Sequence, residues 1–236
     1  MAATFLDAEW RKLLMFNYAV DEDLLTAYLP SQTELDHWKG TCYVSLVGFM
    51  FLDTRLKGFR IPFHSHFEEV NLRIYVRYKE NKEWKRGVVF IRELVPKPAL
   101  TLVARRIYRE NYQTLPMKHN WLLENDTLTV EYSWKKKNWN YIRATAKNIL
   151  QKIATGTEEE FITEYYWGYT KINDRESAEY RVEHPRWDIY DVQDFQVSVD
   201  FGSTYGPPFN LLNLLTPRSV FLAEGSSIRV NDKRML

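Results

Sequence analysis

The clearest periodicity in the chain lies at residues 70–79, where Val70, Leu72, Ile74, Val76 and Tyr78 alternate with Asn71, Arg73, Tyr75 and Arg77. A period of two places each set on its own face of a β-strand. The polar run Lys79-Glu80-Asn81-Lys82-Glu83 predicts a turn, and residues 87–91 (Gly87-Val88-Val89-Phe90-Ile91) return as an antiparallel neighbour. Upstream, residues 41–52 are rich in β-branched and aromatic side chains and read as a central strand. Only Ser45 and Gly48 interrupt the apolar run from Tyr43 to Leu52, which suits burial on both faces.

Helical spacing occurs in two places. Asp21-Glu22-Asp23, followed by Leu24, Leu25, Tyr28 and Leu29 and closed by Pro30, predicts a short amphipathic helix. Pro96 and Pro98 precede Ala99, Leu100, Val103, Ala104, Ile107 and Tyr108, which predict a helix ending near Asn111. The turn Glu124-Asn125-Asp126 separates Trp121-Leu122-Leu123 from the alternating Leu128, Val130, Tyr132 and Trp134, a hairpin pattern. Residues 141–149, 165–172, 178–183, 195–201 and 219–223 supply further strands. Thr157 with Glu160 forms a capping box for a short helix ending near Glu164. A turn-rich loop at residues 202–208 leads to a short apolar segment at 209–215. Many strands, few helices and no regular βαβ alternation give an α+β class with a mainly antiparallel sheet curled toward a barrel. With no repeat and no linker, residues 1–236 read as one domain.

Composition narrows the function classes. The 32 basic and 31 acidic side chains cancel, so no global field draws the protein to nucleic acid or an anionic membrane. Cys42 is the single cysteine, which excludes an internal disulfide and any multi-cysteine metal site. There is no basic patch before an apolar run at the N-terminus and no apolar stretch of membrane-spanning length, so a cytoplasmic protein is expected.

No glycine-rich phosphate loop and no Gly-x-Ser-x-Gly elbow occurs, so no cofactor is expected. His64-Ser65-His66 near Glu68 has the donor types of a metal site, but short His-x-His loops are commonly unmetallated and no metal is expected. Lys135-Lys136-Lys137 between Trp134 and Trp139 has the look of a nucleic-acid stacking patch; a charged connection between strands is the preferred reading. More informative is the polar face of the 70–79 strand. There Glu69, Asn71, Arg73 and Tyr75 share one side, which either lines a cavity or faces water.

The order of motifs resembles the YqjF-like family of conserved bacterial proteins, within the acetoacetate decarboxylase-like superfamily, over nearly the whole chain. The resemblance rests on Phe16-Asn17-Tyr18, Gly40-Thr41-Cys42-Tyr43-Val44-Ser45-Leu46-Val47, the stretch Phe67 to Val76 with Asn71-Leu72-Arg73-Ile74-Tyr75-Val76 at its heart, and Ala104-Arg105-Arg106-Ile107-Tyr108. It continues through Phe161-Ile162-Thr163-Glu164-Tyr165-Tyr166-Trp167 and His184-Pro185-Arg186-Trp187. It implies a curled, barrel-like β core enclosing a pocket.

Acetoacetate decarboxylases attack a β-keto acid with a lysine whose pKa is lowered by a neighbouring cation and an apolar pocket. The resemblance puts Tyr112 and Gln113 at the positions of that family's lysine pair, and residues 110–116 contain no lysine. Glu69 falls where the family has a glutamate, Arg11 near an arginine associated with the substrate carboxylate, and Ser45 where another glutamate stands.

The resulting expectation is a pocket for a small organic ligand, keto acid or other carboxylate, without Schiff-base chemistry. Arg11, Arg73 or Arg105 meets the anionic group, and Asn71, Gln113, His184 and Trp187 complete the site. A second reading keeps catalysis, with Glu69 as acid/base and Tyr112 as electrophilic donor in an enolisation or hydration. A third is an interaction protein whose Tyr165, Tyr166 and Trp167 face a partner; homo-oligomerisation fits the general prevalence of symmetric homomers.

Overall fold

The computed structural model describes residues 4–236. In chain order the first elements are β1 (Thr4–Val20), β2 (Thr33–Leu35), β3 (Cys42–Leu56), β4 (Phe59–Arg60), β5 (Phe67–Glu80), β6 (Glu83–Val95) and α1 (Pro98–Ile107). They are followed by β7 (Tyr112–Thr114), β8 (Met117–Glu124), β9 (Thr127–Lys135), β10 (Trp139–Lys152), α2 (Glu158–Thr163) and β11 (Trp167–Lys171). The chain finishes with β12 (Ser177–Glu183), β13 (Asp188–Ser198), α3 (Phe201–Tyr205), β14 (Ser219–Asn231) and β15 (Arg234–Met235).

Seven strands close on one another in the order β14-β1-β3-β5-β6-β11-β12, and β12 pairs back onto β14 through Val182 with Val230 and Glu183 with Arg229. The α+β expectation of a curled, mainly antiparallel sheet holds: within this ring only the β6–β11 junction is parallel. From β14 the sheet continues through β13, β10, β9 and β8.

That extension supplies a second layer. Leu14, Phe16, Val44, Leu46, Leu72 and Ile74 of the ring share a core with Val130, Tyr132, Trp134, Ile142 and Ala144 of β9 and β10. The other face of the ring strands forms a separate inner cluster, which includes Leu13, Phe49, Phe51, Tyr75, Val88 and Trp187. Strands β1, β3 and β5 are therefore buried on both faces, which explains the unbroken apolar run from Tyr43 to Leu52.

The structure corrects three expectations and adds an element the pattern did not predict. Residues 21–29 form two 3-10 turns, Glu22–Leu24 and Thr26–Tyr28, not an amphipathic helix. The N-terminal segment, which has no even alternation, is the long central strand β1. The strand placed at 195–201 is β13, ending at Ser198, and Phe201 opens α3. Tyr165 is 7% exposed and packs inside, so Tyr165, Tyr166 and Trp167 do not make one exposed aromatic face.

The capping box forms with one change, in that the Glu160 carboxylate reaches past the N-cap to the residue before it. Thr157 accepts a hydrogen bond from the Glu160 N–H, and the Glu160 carboxylate accepts one from the Gly156 N–H at 2.7 Å. The cap holds α2 so that Phe161 and Ile162 are buried in the inner cluster. Thr157→Ala is expected to lower stability by about 1 kcal/mol, read as a shifted urea midpoint at unchanged slope.

Candidate functional site

Inside the ring lies a cavity of about 270 Å³. Its wall is mostly aromatic and aliphatic, with Trp10, Phe49, Phe51, Phe67, Phe90 and Trp187 among the lining side chains. Into this apolar setting β5 projects Glu69, Asn71 and Arg73 at two-residue spacing, so the polar strand face meets the cavity and not water.

The neighbouring strands add two carboxylates that the sequence pattern does not announce. In the β5–β6 ladder Leu72 pairs with Arg92 and Arg73 with Phe90, so Ile91 is an extra residue on β6. This bulge inverts the alternation: Val88 and Phe90 line the cavity before it, and Glu93 after it. Glu93 then sits opposite Asn71 on one side and beside Tyr112 of β7 on the other, one row across three strands. Glu110, just after α1, also lines the cavity.

These carboxylates are 2%, 2% and 6% exposed at Glu69, Glu93 and Glu110. Glu69 accepts hydrogen bonds from the Asn71 side-chain N–H and the Tyr112 hydroxyl, both at 3.1 Å. Glu110 accepts from the Thr170 hydroxyl at 2.6 Å and the Tyr180 hydroxyl at 3.2 Å. Glu93 Oε2 is buried without a hydrogen-bond partner.

Burial pushes Glu69 up to about 7 against the pull of Asn71 and Tyr112. It pushes Glu110 up to about 7 as well, against the pull of Thr170 and Tyr180. Glu93 is raised well above its ordinary value, by burial and then by the negative charges of Glu110 and Glu69. No Lys or Arg forms an ion pair with any of the three among the described residues. Near neutrality the cluster therefore exchanges protons, the condition general acid–base chemistry requires. Tyr112, raised well above its ordinary value by burial and then by Glu69 and Glu93, stays a phenol and donates.

Arg73 is 8% exposed and has no carboxylate partner among the described residues. One guanidinium nitrogen donates to the Ile162 carbonyl at 3.1 Å and lies 3.4 Å from the Tyr75 hydroxyl, while Nε is buried without a partner. A buried cation with an unused donor on a cavity wall has the makings of an anion-binding group.

His184 and Trp187 also line the cavity. The His184 ring stacks between Tyr166 and Trp187, with centroids at 4.6 Å and 4.3 Å. Its nitrogens face the Pro185 and Tyr165 carbonyls at 2.9 Å and 3.4 Å, and burial lowers its pKa, so the imidazole is held neutral. The Trp187 N–H is committed to Ser226 at 2.9 Å.

Three expected residues lie elsewhere. Arg11 sits between the cavity-lining Trp10 and Leu13 but pairs with Glu9 at 2.9 Å and Glu224 at 3.7 Å outside the cavity. Arg105 is exposed and donates to the Tyr112 carbonyl at 2.7 Å, tying α1 to β7. Gln113, paired with Leu94 in the β6–β7 ladder, is not among the lining residues.

The remaining motifs disperse as well. His64 lines the cavity, His66 is exposed, and Glu68 instead meets His119 at 2.7 Å. Trp134 is fully buried while Trp139 is 45% exposed, so they do not frame the three lysines as one stacking surface. Glu22, His37 and Cys42 bring donor atoms within 4.8 Å of one another, but burial and then Glu22 push the Cys42 thiol up to about 11, away from the thiolate a metal takes.

Comparison with known proteins places the molecule. Residues 7–227 match the profile of DUF2071, a family described as an uncharacterized conserved protein. The chain belongs to the DUF2071 family. One relative is the uncharacterized protein YqjF of Bacillus subtilis, 32% identical over 130 residues. That alignment covers 55% of this chain and 50% of YqjF, so the chain spans about half the length of this curated relative.

Among solved structures, acetoacetate decarboxylase from Legionella pneumophila superposes with a TM-score of 0.68 at 16% identity, over 99% of this chain and 88% of that one. The enduracididine biosynthesis enzyme MppR complexed with pyruvate gives 0.66 at 10% identity, over 100% of this chain and 91% of that one. At such identities the likeness establishes the acetoacetate decarboxylase-like fold.

Proposed function

We propose that this DUF2071 chain binds a small organic carboxylate in the ring cavity, with Arg73 receiving the carboxylate. The observation carrying the reading is Arg73 itself: a buried guanidinium on the cavity wall, without an acidic partner among the described residues and with Nε unused. The pyruvate complex of MppR, a protein of the same fold, supports a keto acid as the ligand class. Among the described residues no lysine lines the cavity, which favours a site that does not form a Schiff base with its ligand.

A second reading has its own support in the 3.1 Å bond between Tyr112 and Glu69. A carboxylate that exchanges protons near neutrality beside a phenol donor suits enolisation or hydration of a carbonyl. Glu69 would move the proton and Tyr112 would stabilise developing charge on oxygen.

A thermal-shift screen against keto acids, ketones, dicarboxylates and apolar lipophiles tests the first reading, and a turnover assay on the compounds it finds tests the second. A ligand at a hundredfold excess over its Kd stabilises the native state by about 2.7 kcal/mol, and that shift is expected with carboxylates and lost in Arg73→Ala. Glu69→Gln is expected to keep binding and lose turnover. A shift that survives Arg73→Ala would remove the first reading, and turnover that survives Glu69→Gln would remove the second.

A further inference from the structure

The cavity is polar at two levels of one strand, and the levels ask for opposite things. At Arg73 the unused atom is a donor, Nε. At Asn71 and Glu93 the unused atoms are acceptors, Asn71 Oδ1 and Glu93 Oε2, on side chains each 2% exposed that line the same cavity. Asn71 already spends its amide N–H on Glu69, and the Tyr112 hydroxyl is spent on Glu69 too. Glu110 is likewise supplied by Thr170 and Tyr180. What the protein does not furnish at this level is a cation: among the described residues no Lys or Arg pairs with Glu69, Glu93 or Glu110.

We infer that the ligand carries a basic nitrogen as well as its carboxylate, an amine seated against Glu93, Asn71 and Glu69 while the carboxylate meets Arg73. The inference rests on the Arg73 reading for the carboxylate end and adds the chemistry of the other end. A plain aliphatic or keto acid satisfies Arg73 and brings no counter-charge to the carboxylate row, leaving Asn71 Oδ1 and Glu93 Oε2 without a ligand partner. An ammonium supplies three donors and a positive charge to a cluster of carboxylates that repel one another. Asn71 and Arg73 are two strand residues apart, roughly 7 Å, and Glu93 is paired across the ladder with Asn71. The class is thus a short zwitterion, an ω-amino acid or a basic amino or keto acid, with an aliphatic middle against the apolar wall.

Calorimetric titration of the wild-type chain with a matched set decides it: caproate, ε-aminocaproate, γ-aminobutyrate and hexylamine. The expected result is ε-aminocaproate binding at least about tenfold tighter than caproate, with the shorter γ-aminobutyrate weaker than ε-aminocaproate. In Glu93→Gln that advantage is expected to disappear while caproate affinity stays the same. Circular dichroism checks that this near-isosteric variant is folded, and the wild-type comparison stands whatever the variant does. Caproate binding as tightly as ε-aminocaproate overturns the inference and leaves the carboxylate reading intact. Hexylamine binding as tightly as ε-aminocaproate supports the basic nitrogen and overturns Arg73 as its carboxylate partner. No binding by any of the four overturns both.

Discussion

Gly225→Ala is expected to cost about 2–5 kcal/mol of folding stability, from left-handed strain plus overpacking. Gly225 lies in β14 opposite Arg11 of β1, with φ +83°. A Cβ there would stand 2.0 Å from the Trp10 carbonyl oxygen and 2.8 Å from Leu13 Cδ1. The first obstacle is main chain, which has no rotamer to yield. Across the ladder Lys12 also takes a left-handed conformation, φ 53°, and the β1–β3 register slips between Arg11 and Leu14. The two irregularities bend the ring wall where Trp10 and Leu13 meet the cavity. The urea midpoint should fall at unchanged slope, while the exposed Ser227→Ala should stay within about 0.5 kcal/mol of wild type. A Gly225→Ala protein as stable as wild type would show that this bend is not needed.

The same irregularities set what could be read from the sequence. Strand β5 was legible because Val70 to Tyr78 alternates without interruption, and its polar parity, Glu69, Asn71 and Arg73, reaches the cavity. Strand β1 was hidden because its pattern breaks at Lys12 and then runs Leu13, Leu14, Met15, Phe16, all buried, as a strand covered on both faces must. Glu93 escaped for a related reason. Strict alternation from Val88 and Phe90 points to Arg92, and only the extra residue Ile91 turns Glu93 inward. Glu110 follows Arg109, whose φ of 57° redirects the chain after α1, a device that ordinary residue types do not advertise. At residues 21–29 the acidic start and apolar spacing were those of a helix. Hydrogen bonds from Leu24 N to Asp21 O and from Tyr28 N to Leu25 O instead close separate three-residue turns. Arg11 and Arg105 show the limit of reading a role from residue type: either guanidinium suits a carboxylate, but the side chains are spent on Glu9, Glu224 and a main-chain carbonyl.

Stability of the ligand-free protein is expected to fall as pH rises from about 5 to about 7, the reverse of an ion-paired carboxylate. Glu69 and Glu110 are pushed up to about 7 from an ordinary 4.5, and Glu93 is raised well above that ordinary value too. Across that window the folded chain keeps protons that the unfolded chain has released, so unfolding is favoured as protons become scarce. The stabilisation is complete below the unfolded value and is lost as pH passes the folded one. Each uncompensated proton contributes about 1.4 kcal/mol per pH unit, and mutual repulsion spreads the three losses over a broad range. At the acid end Glu68 acts in the opposite sense: burial raises it, but the His119 hydrogen bond and other local interactions outweigh burial and hold it below 4.5. Its contribution is lost as pH falls, and His184, lowered from its ordinary value by burial, opposes the carboxylates within the window; three raised acids against one imidazole leave the profile peaking on the acid side of neutral. Glu93→Gln removes one buried, raised acid and the repulsion it shares with Glu69 and Glu110. That variant should be more stable than wild type at about pH 8, by roughly 1–3 kcal/mol, with a flatter profile between the two pH values. Urea titrations of both proteins at about pH 5 and about pH 8 measure the difference directly. Wild-type stability that does not fall across this window would mean that the fold does not hold protons on the three carboxylates, and the acid–base reading of the cluster would go with it.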